Sequence, residues 1–453
     1  MTFESCNPAS GEIVATHSET SREEVDAILR GLQAAYEDWR RIDFPSRAVC
    51  LRRAAHFLRE RSEIFARLMA AEMGKPLAQG RAEIDKCAWA CDFYAENAQA
   101  FLAPESIQAG FTRSFVTCNP LGVILAIMPW NFPFWQVFRA VAPALMAGNA
   151  VLLKHASNVF GCARAIGDLL RDADLNVFAP IVMGSDRVRE LIEHPLVRGV
   201  TLTGSTAAGS AVAAQAGAIL KKTVLELGGS DPYLVLEDAD VESAAETCVA
   251  SRLINTGQSC IAAKRFIVHQ SIQRHFEEAV VEKMKSRRVG NPLDEGIALG
   301  PLARRDLCRT LQAQVDRSIA AGARLLLGGQ YKDQSTAFYP LTVLTDVHPG
   351  QPAYEEETFG PVAAVIGARD EADTIRIAND TSFGLGAAVF TRDAPRGERI
   401  AANELQAGCC FVNDFVRSDP RLPFGGIKQS GYGRELAAFG IREFVNIKTV
   451  VVK

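Results

Sequence analysis

Between residues 121 and 228 the sequence alternates short apolar runs with amphipathic segments, and this alternation constrains the fold more than any other feature. Val123–Met128 and Ala150–Leu153 predict strands, and Phe134–Met146 predicts the helix between them. Strands that alternate with helices of this length form a parallel sheet with right-handed crossovers. The pattern therefore predicts an α/β fold whose first domain is a doubly wound parallel sheet of the dinucleotide-binding kind.

A second α/β stretch begins near Gly228, and its predicted strands are Tyr233–Leu236, Arg265–His269, Arg324–Leu327 and Val362–Ile366. A chain of 453 residues is too long for one ordinary core, so several domains are expected. We assign residues 1–105, in which 22–75 predict two amphipathic helices, and 121–228 to the dinucleotide-binding domain. Residues 229–428 form the predicted catalytic domain, and the segments 106–120 and 429–453 lie outside both.

Charge and composition narrow the class of protein. The net charge is −4 and no basic block is present, so nucleic acid is not an expected partner. The polar start of the chain is not a signal peptide and no apolar run is long enough to span a membrane, which predicts a cytoplasmic protein. The eleven cysteines are scattered and odd in number, so we expect neither a disulfide scaffold nor a bound metal.

Four short motifs carry the chemical information. They are Pro129-Trp130-Asn131-Phe132-Pro133, Leu225-Glu226-Leu227-Gly228-Gly229, Asn255-Thr256-Gly257-Gln258-Ser259-Cys260 and Glu355-Glu356-Glu357-Thr358-Phe359-Gly360-Pro361. Together and in this order they resemble the aldehyde dehydrogenase superfamily, and the resemblance runs from about residue 7 to residue 453. It implies an aldehyde dehydrogenase-like fold in which 106–120 and 429–453 pair into a small β oligomerisation flap. A homodimer or homotetramer is therefore expected.

Cys260 is the predicted nucleophile and Glu226 the predicted general base. A thiolate is a strong nucleophile, and its attack on an aldehyde gives a thiohemiacetal and then a thioester. Glu226 lies among apolar residues that should raise its pKa, which suits a base that activates water to hydrolyse the thioester. The alternatives are an inert core cysteine and a salt-bridged glutamate that ends a strand.

Asn131 is the predicted oxyanion donor. Its side-chain amide, with the backbone N–H of Cys260, can stabilise the negative oxygen of the thiohemiacetal. The alternative is that Asn131 caps the helix that follows it, since asparagine favours that position.

Lys154-His155-Ala156-Ser157 ends a predicted strand and begins a helix, where the adenosine ribose of a dinucleotide should lie. In the resembling family an acidic residue often stands at the position of Ser157 and binds the ribose of NAD. Serine in its place removes repulsion against a 2′-phosphate, and Lys154 adds positive charge. We expect NADP as the preferred cofactor and NAD as a second one. Ser157 as a plain helix cap remains the alternative.

Gly204 and Ser205 occupy a strand-to-helix turn that can present N–H groups to a pyrophosphate. The usual G-x-G-x-x-G fingerprint is absent, but the resembling family has this Thr-Gly-Ser pattern instead. The resemblance further implies that Glu357 and Phe359 hold the nicotinamide ribose and ring. It adds five cofactor-binding residues, which are Pro129, Trp130, His155, Gly184 and Leu227.

Three further stretches of the sequence are informative, namely residues 131–139, 154–158 and 417–426. Within the superfamily they are most similar to the succinate-semialdehyde dehydrogenases, which implies NAD(P)-dependent oxidation of succinate semialdehyde, a small-molecule aldehyde. Trp135 and Arg139 follow Asn131 at one-turn intervals on the same helix face, so Arg139 is expected to bind the distal carboxylate of the substrate. Ser418 is expected to add a hydroxyl donor. A structural ion pair at Arg139 is the alternative, and Arg417 and Arg421 are other candidates for the anchor.

Three other functions remain open. The chain could oxidise another aldehyde, such as glutarate semialdehyde or an uncharged aliphatic one. It could be a thiol acyltransferase or hydrolase that needs no nicotinamide cofactor. A catalytically silent homologue is the third, although Cys260, Glu226 and Asn131 are all present.

Overall fold

The computed structural model describes residues 1 to 453 and begins with a hairpin of β1 (Thr2–Cys6) and β2 (Ile13–Ser18), paired antiparallel. Four helices follow: α1 (Arg22–Trp39), α2 (Phe44–Glu60), α3 (Ser62–Met73) and α4 (Leu77–Phe101). Residues 22–75 thus form three helices rather than the predicted two. The added break lies at Arg61, where φ of −102° and ψ of 16° leave the helical region.

Two strands, β3 (Glu105–Ser106) and β4 (Arg113–Pro120), lead into the first large sheet. Its elements are β5 (Val123–Met128), α5 (Trp135–Met146), β6 (Ala150–His155), α6 (Phe160–Asp172), β7 (Phe178–Ile181), α7 (Val188–Glu193), β8 (Val197–Thr203), α8 (Thr206–Ala218) and β9 (Lys222–Glu226). These five strands are parallel in the order β9-β8-β5-β6-β7, which confirms the predicted α/β class. The sheet and the helices around it share one core of 70 buried residues.

The second sheet is built from the elements β10 (Asp231–Val235), α9 (Val241–Leu253), β11 (Ala263–His269), α10 (Gln273–Lys285), α11 (Arg305–Ala320), β12 (Arg324–Leu327), β13 (Thr342–Thr345), α12 (Pro352–Glu355), β14 (Val362–Ala368), α13 (Glu371–Asn379), β15 (Gly386–Phe390), α14 (Ala394–Asn403) and β16 (Cys409–Val412). Its strand order is β12-β13-β14-β11-β10-β15-β16, and only β12 runs antiparallel to its neighbour. Successive residues of β10 face opposite sides, so Tyr233 packs in one apolar cluster and Leu234 in another.

The C-terminal segment contains β17 (Gly431–Tyr432), α15 (Ala437–Ile441) and β18 (Val445–Val452). β18 pairs antiparallel with β4 along its whole length, and β3 completes a three-stranded flap. β17 instead pairs with β9 and becomes the sixth strand of the first sheet. The segment 429–453 therefore divides between that sheet and the flap, because Gly431 and Tyr432 bond to the free edge of β9.

The chain has no helix with both the length and the apolar character that crossing a membrane requires. All eleven cysteines are free thiols.

Candidate active site

A crevice opens at the carboxyl ends of the first sheet, where β6 and β8 lie on opposite sides of β5. The crossovers diverge at such a switch point, and ligands of doubly wound proteins bind there. A cavity of about 270 Å³ fills this crevice, and the loop that carries Cys260 closes it from the second sheet. Nine predicted site residues line it: Pro129, Trp130, Asn131, Gly204, Ser205, Leu227, Cys260, Glu357 and Phe359. Thr203, Gly228 and Leu307 also line it and were missed.

The turn before Cys260 has an unusual backbone. Asn255 and Thr256 adopt left-handed φ values of 53° and 56°, which costs free energy for a β-branched threonine. The amide of Asn255 donates to the backbone oxygens of Asn131 at 2.7 Å and of Gln258 at 3.2 Å. The turn is therefore tied to the Asn131 loop, so that Cys260 and Asn131 share one cavity wall.

Lys264, which the sequence reasoning missed, fixes the other end of this loop. Its Nζ is buried, donates to the backbone oxygens of Ser259 at 3.0 Å and Cys260 at 2.7 Å, and lies 3.5 Å from the Glu357 carboxylate. Glu357 also accepts from the backbone N–H of Gly229 at 3.1 Å, and burial raises the pKa of its carboxyl. The available signal was a lysine inside the otherwise buried strand β11.

The thiol and the carboxyl of the site both favour their protonated forms. Burial raises the pKa of the Cys260 thiol to about 12, although Arg139 and Lys264 oppose this. Burial also raises the pKa of Glu226, and Arg139 opposes it there too. Neither carboxylate oxygen of Glu226 has a hydrogen-bond partner. A desolvated, unbonded carboxyl with a raised pKa is suited to exchange protons near neutral pH.

Asn131 is 5% exposed, and its Nδ2 donates to the backbone oxygen of Gln258 at 3.1 Å. It does not cap α5, because the first free N–H groups there are satisfied from another helix. Oε1 of Glu83, on α4, accepts from the backbone N–H groups of Phe134 and Trp135 at 2.9 Å each. The Asn131 amide can thus direct its remaining N–H into the cavity.

Three predicted cofactor residues lie beyond the cavity, at the ends of β6 and β7. Ser157 is exposed and opens a short 3₁₀ turn without making a capping hydrogen bond, which removes the capping alternative. Lys154 is buried at the end of β6, and burial lowers the pKa of its amine. Gly184 is followed by Asp186, whose charge acts on Lys154. Ser205, by contrast, does cap its helix, accepting from the backbone N–H of Ala208 at 3.3 Å.

His155 differs from its predicted role in cofactor binding, because its ring is used inside the fold. It is fully buried, with Nε2 2.9 Å from the backbone oxygen of Pro133 and Nδ1 accepting from the backbone N–H of Ala156 at 2.9 Å. Burial lowers its pKa to about 4, so the ring is neutral. The side chain joins the end of β6 to the loop that carries Asn131.

Arg139 also differs from its predicted role as the anchor of the substrate carboxylate. It is 2% exposed and forms an ion pair with Glu435, which is 5% exposed. Its Nη2 donates to Thr203 Oγ1 at 3.3 Å, and its guanidinium lies 4.9 Å from the ring of Phe424. A guanidinium held on all sides is not free for substrate, so the ion-pair alternative is the one that the geometry supports.

Neither of the other two candidate arginines is free. Arg417 pairs with Asp414 and Arg421 with Asp419 on the exposed loop after β16. Ser418, between them, turns inward instead and is 6% exposed. Trp135 is buried at the start of α5, beside a second cavity.

Comparison with known proteins gives a consistent result. Residues 1–450 match the model of the aldehyde dehydrogenase family. A probable succinate-semialdehyde dehydrogenase [NADP(+)] of Synechocystis sp. is 47% identical, covering 99% of both chains. A succinate semialdehyde dehydrogenase [NAD(P)+] of Escherichia coli is 46% identical over 98% of this chain and 97% of its own. Succinic semialdehyde dehydrogenase of Streptococcus pyogenes, solved with NADP+, superposes with a TM-score of 0.97 at 33% identity, covering 99% of both chains.

Proposed function

This chain belongs to the aldehyde dehydrogenase family, and we propose that it oxidises succinate semialdehyde to succinate with NADP as the preferred cofactor and NAD as a second. The observation that carries the proposal is one cavity wall shared by Cys260 and Asn131, with the unbonded carboxyl of Glu226 buried nearby. The substrate is inferred from relatives of 46–47% identity that bear the name of this activity.

The residues at the switch point fit a dinucleotide with a 2′-phosphate. The exposed Ser157 hydroxyl stands on the turn after β6, Lys154 lies near the end of β6, and no acidic residue occurs between positions 154 and 159. Gly204 directly precedes Ser205 at the start of α8, and the first N–H groups of a helix favour a pyrophosphate. When bound, the nicotinamide of the cofactor accepts a hydride from the substrate carbon. We assign Trp130 and Phe359, whose rings meet edge to face 5.7 Å apart, to the wall around that ring.

The chemistry on the protein begins at Cys260. The thiol proton passes to solvent water, the thiolate sulfur then bonds to the aldehyde carbon, and the π electron pair of the carbonyl moves to the aldehyde oxygen, which becomes negatively charged. Asn131 Nδ2 and the backbone N–H of Cys260 donate to that oxygen, in surroundings where such a donor is worth about 2.7–4 kcal/mol of barrier. After oxidation the substrate is held as a thioester on the sulfur.

Glu226 completes the cycle as the base. It takes a proton from water as the water oxygen bonds to the thioester carbon, and the carbon–sulfur bond then breaks to release the acid and the thiolate. The raised pKa of Glu226 makes it a stronger base than an ordinary carboxylate. The absence of any hydrogen-bond partner leaves its side chain free to meet the water.

The test follows reduced cofactor by absorbance at 340 nm with NADP and NAD, using succinate semialdehyde, glutarate semialdehyde and an uncharged aliphatic aldehyde. The proposal expects the highest kcat/KM with succinate semialdehyde and NADP. A higher value with another aldehyde would assign the chain to that substrate. Thioester hydrolysis or acyl transfer without any absorbance change would reveal a cofactor-independent enzyme. No reaction at all would mean a silent homologue.

We also propose that the flap of β3, β4 and β18 joins subunits into a homodimer or homotetramer. Ile447 and Val451 are apolar and exposed on β18, and an open sheet edge favours pairing with another chain. Light scattering after size-exclusion chromatography measures the mass of the assembly, and Ile447→Glu should lower that mass.

A cytoplasmic location is proposed because eleven free thiols suit a reducing compartment.

A further inference from the structure

Lys86 is a partly buried cation without an anionic partner. It lies on α4, and its Nζ donates to Ser418 Oγ at 2.8 Å and sits 4.4 Å from the centre of the Trp135 ring. No carboxylate lies within ion-pair distance of it. Glu83, one turn earlier, is committed to Lys75 and to the start of α5, and Asp419 is paired with Arg421.

This arrangement disfavours the charged form of the Lys86 amine. Burial lowers the pKa of the Lys86 amine to about 8, and the charge of Arg139 acts in the same direction. Charges that are largely removed from water in folded proteins are normally paired, because less water remains to solvate them. The Lys86 amine therefore has no negatively charged partner, and a bound anion would stabilise its charged form.

A cavity of about 440 Å³ reaches Lys86, and it is lined mainly by apolar side chains that include Phe132, Trp135 and Ile254. Arg287 also lines this cavity but is engaged by Glu246, so Lys86 is the cation left without a carboxylate.

This cavity lies beside the cavity that Cys260 lines, as two pairs of neighbouring residues show. Asn131 lines the Cys260 cavity, and Phe132, the next residue, lines the larger one. Ile254 precedes Asn255, whose amide holds the backbone of Asn131. The cavity that reaches Lys86 and the cavity that holds Cys260 therefore share the loop of residues 131–132 as a common wall.

We propose that Lys86 Nζ, together with Ser418 Oγ, binds the distal carboxylate of an ω-oxo acid whose aldehyde carbon is held at Cys260. This inference rests on the proposed function and names the residue that selects its substrate class. Trp135 forms the apolar wall beside the carbon chain. In a four-carbon substrate the two carbonyl carbons are three bonds apart, about 4 Å, so the carboxylate must be recognised close to the reacting centre.

The test compares Lys86→Met, Lys86→Arg and the exposed-site control Lys332→Met. For each we measure kcat and KM with succinate semialdehyde and with butanal, which has the same length and no charge. A hydrogen bond to a charged group typically accounts for about 10- to 100-fold in binding. In Lys86→Met the ratio of kcat/KM for succinate semialdehyde to that for butanal should fall by about this factor, mainly through KM. Lys86→Arg should restore part of the ratio, and Lys332→Met should leave it unchanged.

Two results would overturn the inference. An unchanged ratio in Lys86→Met would mean that another group binds the carboxylate, and an equal loss with both aldehydes would mean that Lys86 only supports the fold. If Lys86→Met does not fold, Ser418→Ala serves instead, with an expected several-fold fall in the same ratio and the same refuting outcomes. A wild-type enzyme that prefers butanal would refute the proposed function itself, whereas a wild-type preference for succinate semialdehyde that survives Lys86→Met refutes only the role of Lys86.

Discussion

Replacement of Arg139 by methionine removes the cationic half of an almost completely buried ion pair. Glu435, its partner, would stay buried without a counter-ion, and breaking such a pair costs about 3–5 kcal/mol of stability. Unfolding entropy is about 2.1 cal/mol/K per residue, which amounts to about 0.95 kcal/mol/K for 453 residues. The thermal midpoint should therefore fall by at least about 3 °C.

The catalytic effect of Arg139→Met should be the same for every aldehyde. Arg139 lowers the pKa of both Cys260 and Glu226, so its removal should raise both and shift the rate profile to higher pH. The ratio of kcat/KM for succinate semialdehyde to that for butanal should stay within about 3-fold, since the guanidinium contacts Glu435 and not the substrate.

The assay combines thermal unfolding with kcat/KM for both aldehydes across pH. Two controls separate the causes. Glu435→Gln in the Arg139→Met background should regain part of the lost stability, because no uncompensated charge remains. Arg417→Met, which breaks an exposed pair, should change stability by about 0–1 kcal/mol. A selective rise in KM for succinate semialdehyde at unchanged stability would refute this reasoning and make Arg139 the carboxylate anchor after all.

Four further predictions concern the reacting groups and the cofactor. Cys260→Ala should lose turnover entirely. Glu226→Gln should give one full burst of reduced cofactor, recorded by stopped-flow absorbance, followed by turnover slowed about 10²- to 10⁴-fold. Full steady-state activity in either variant would contradict the role of the replaced residue. In the wild type the slow step should accelerate as pH rises through the raised pKa of Glu226, because only the ionised form accepts a proton, and this limb should vanish in Glu226→Gln. Asn131→Ala should lower kcat about 10²- to 10³-fold with little change in thermal midpoint, because the amide makes a single neutral hydrogen bond in the fold; a loss below 10-fold would exclude it from the oxyanion site. Ser157→Glu should raise KM for NADP at least about 10-fold and leave KM for NAD nearly unchanged, and equal effects on both would place the 2′-phosphate elsewhere.

Much of the architecture could be predicted because it depends on local patterns. The spacing of apolar residues distinguishes a strand from a helix, and the alternation of the two dictates a parallel sheet and its switch point. Val123–Met128 is a strand with the predicted bounds, and Trp135–Met146 begins one residue later than predicted. The N-terminal hairpin was missed, since its strands are short and mostly exposed and carry no clear alternation.

The amino-acid sequence by itself determined the class of fold and the family, and it predicted the thiol of Cys260, the carboxyl of Glu226 and the amide of Asn131 as the reacting groups. Only the tertiary structure decided what each charged side chain faces. Arg139 meets Glu435 nearly 300 residues later, while Lys86 meets Ser418 and no carboxylate. Periodicity is a property of neighbouring residues, whereas a charge finds its partner only when distant elements pack together, and burial then decides whether that partner is required.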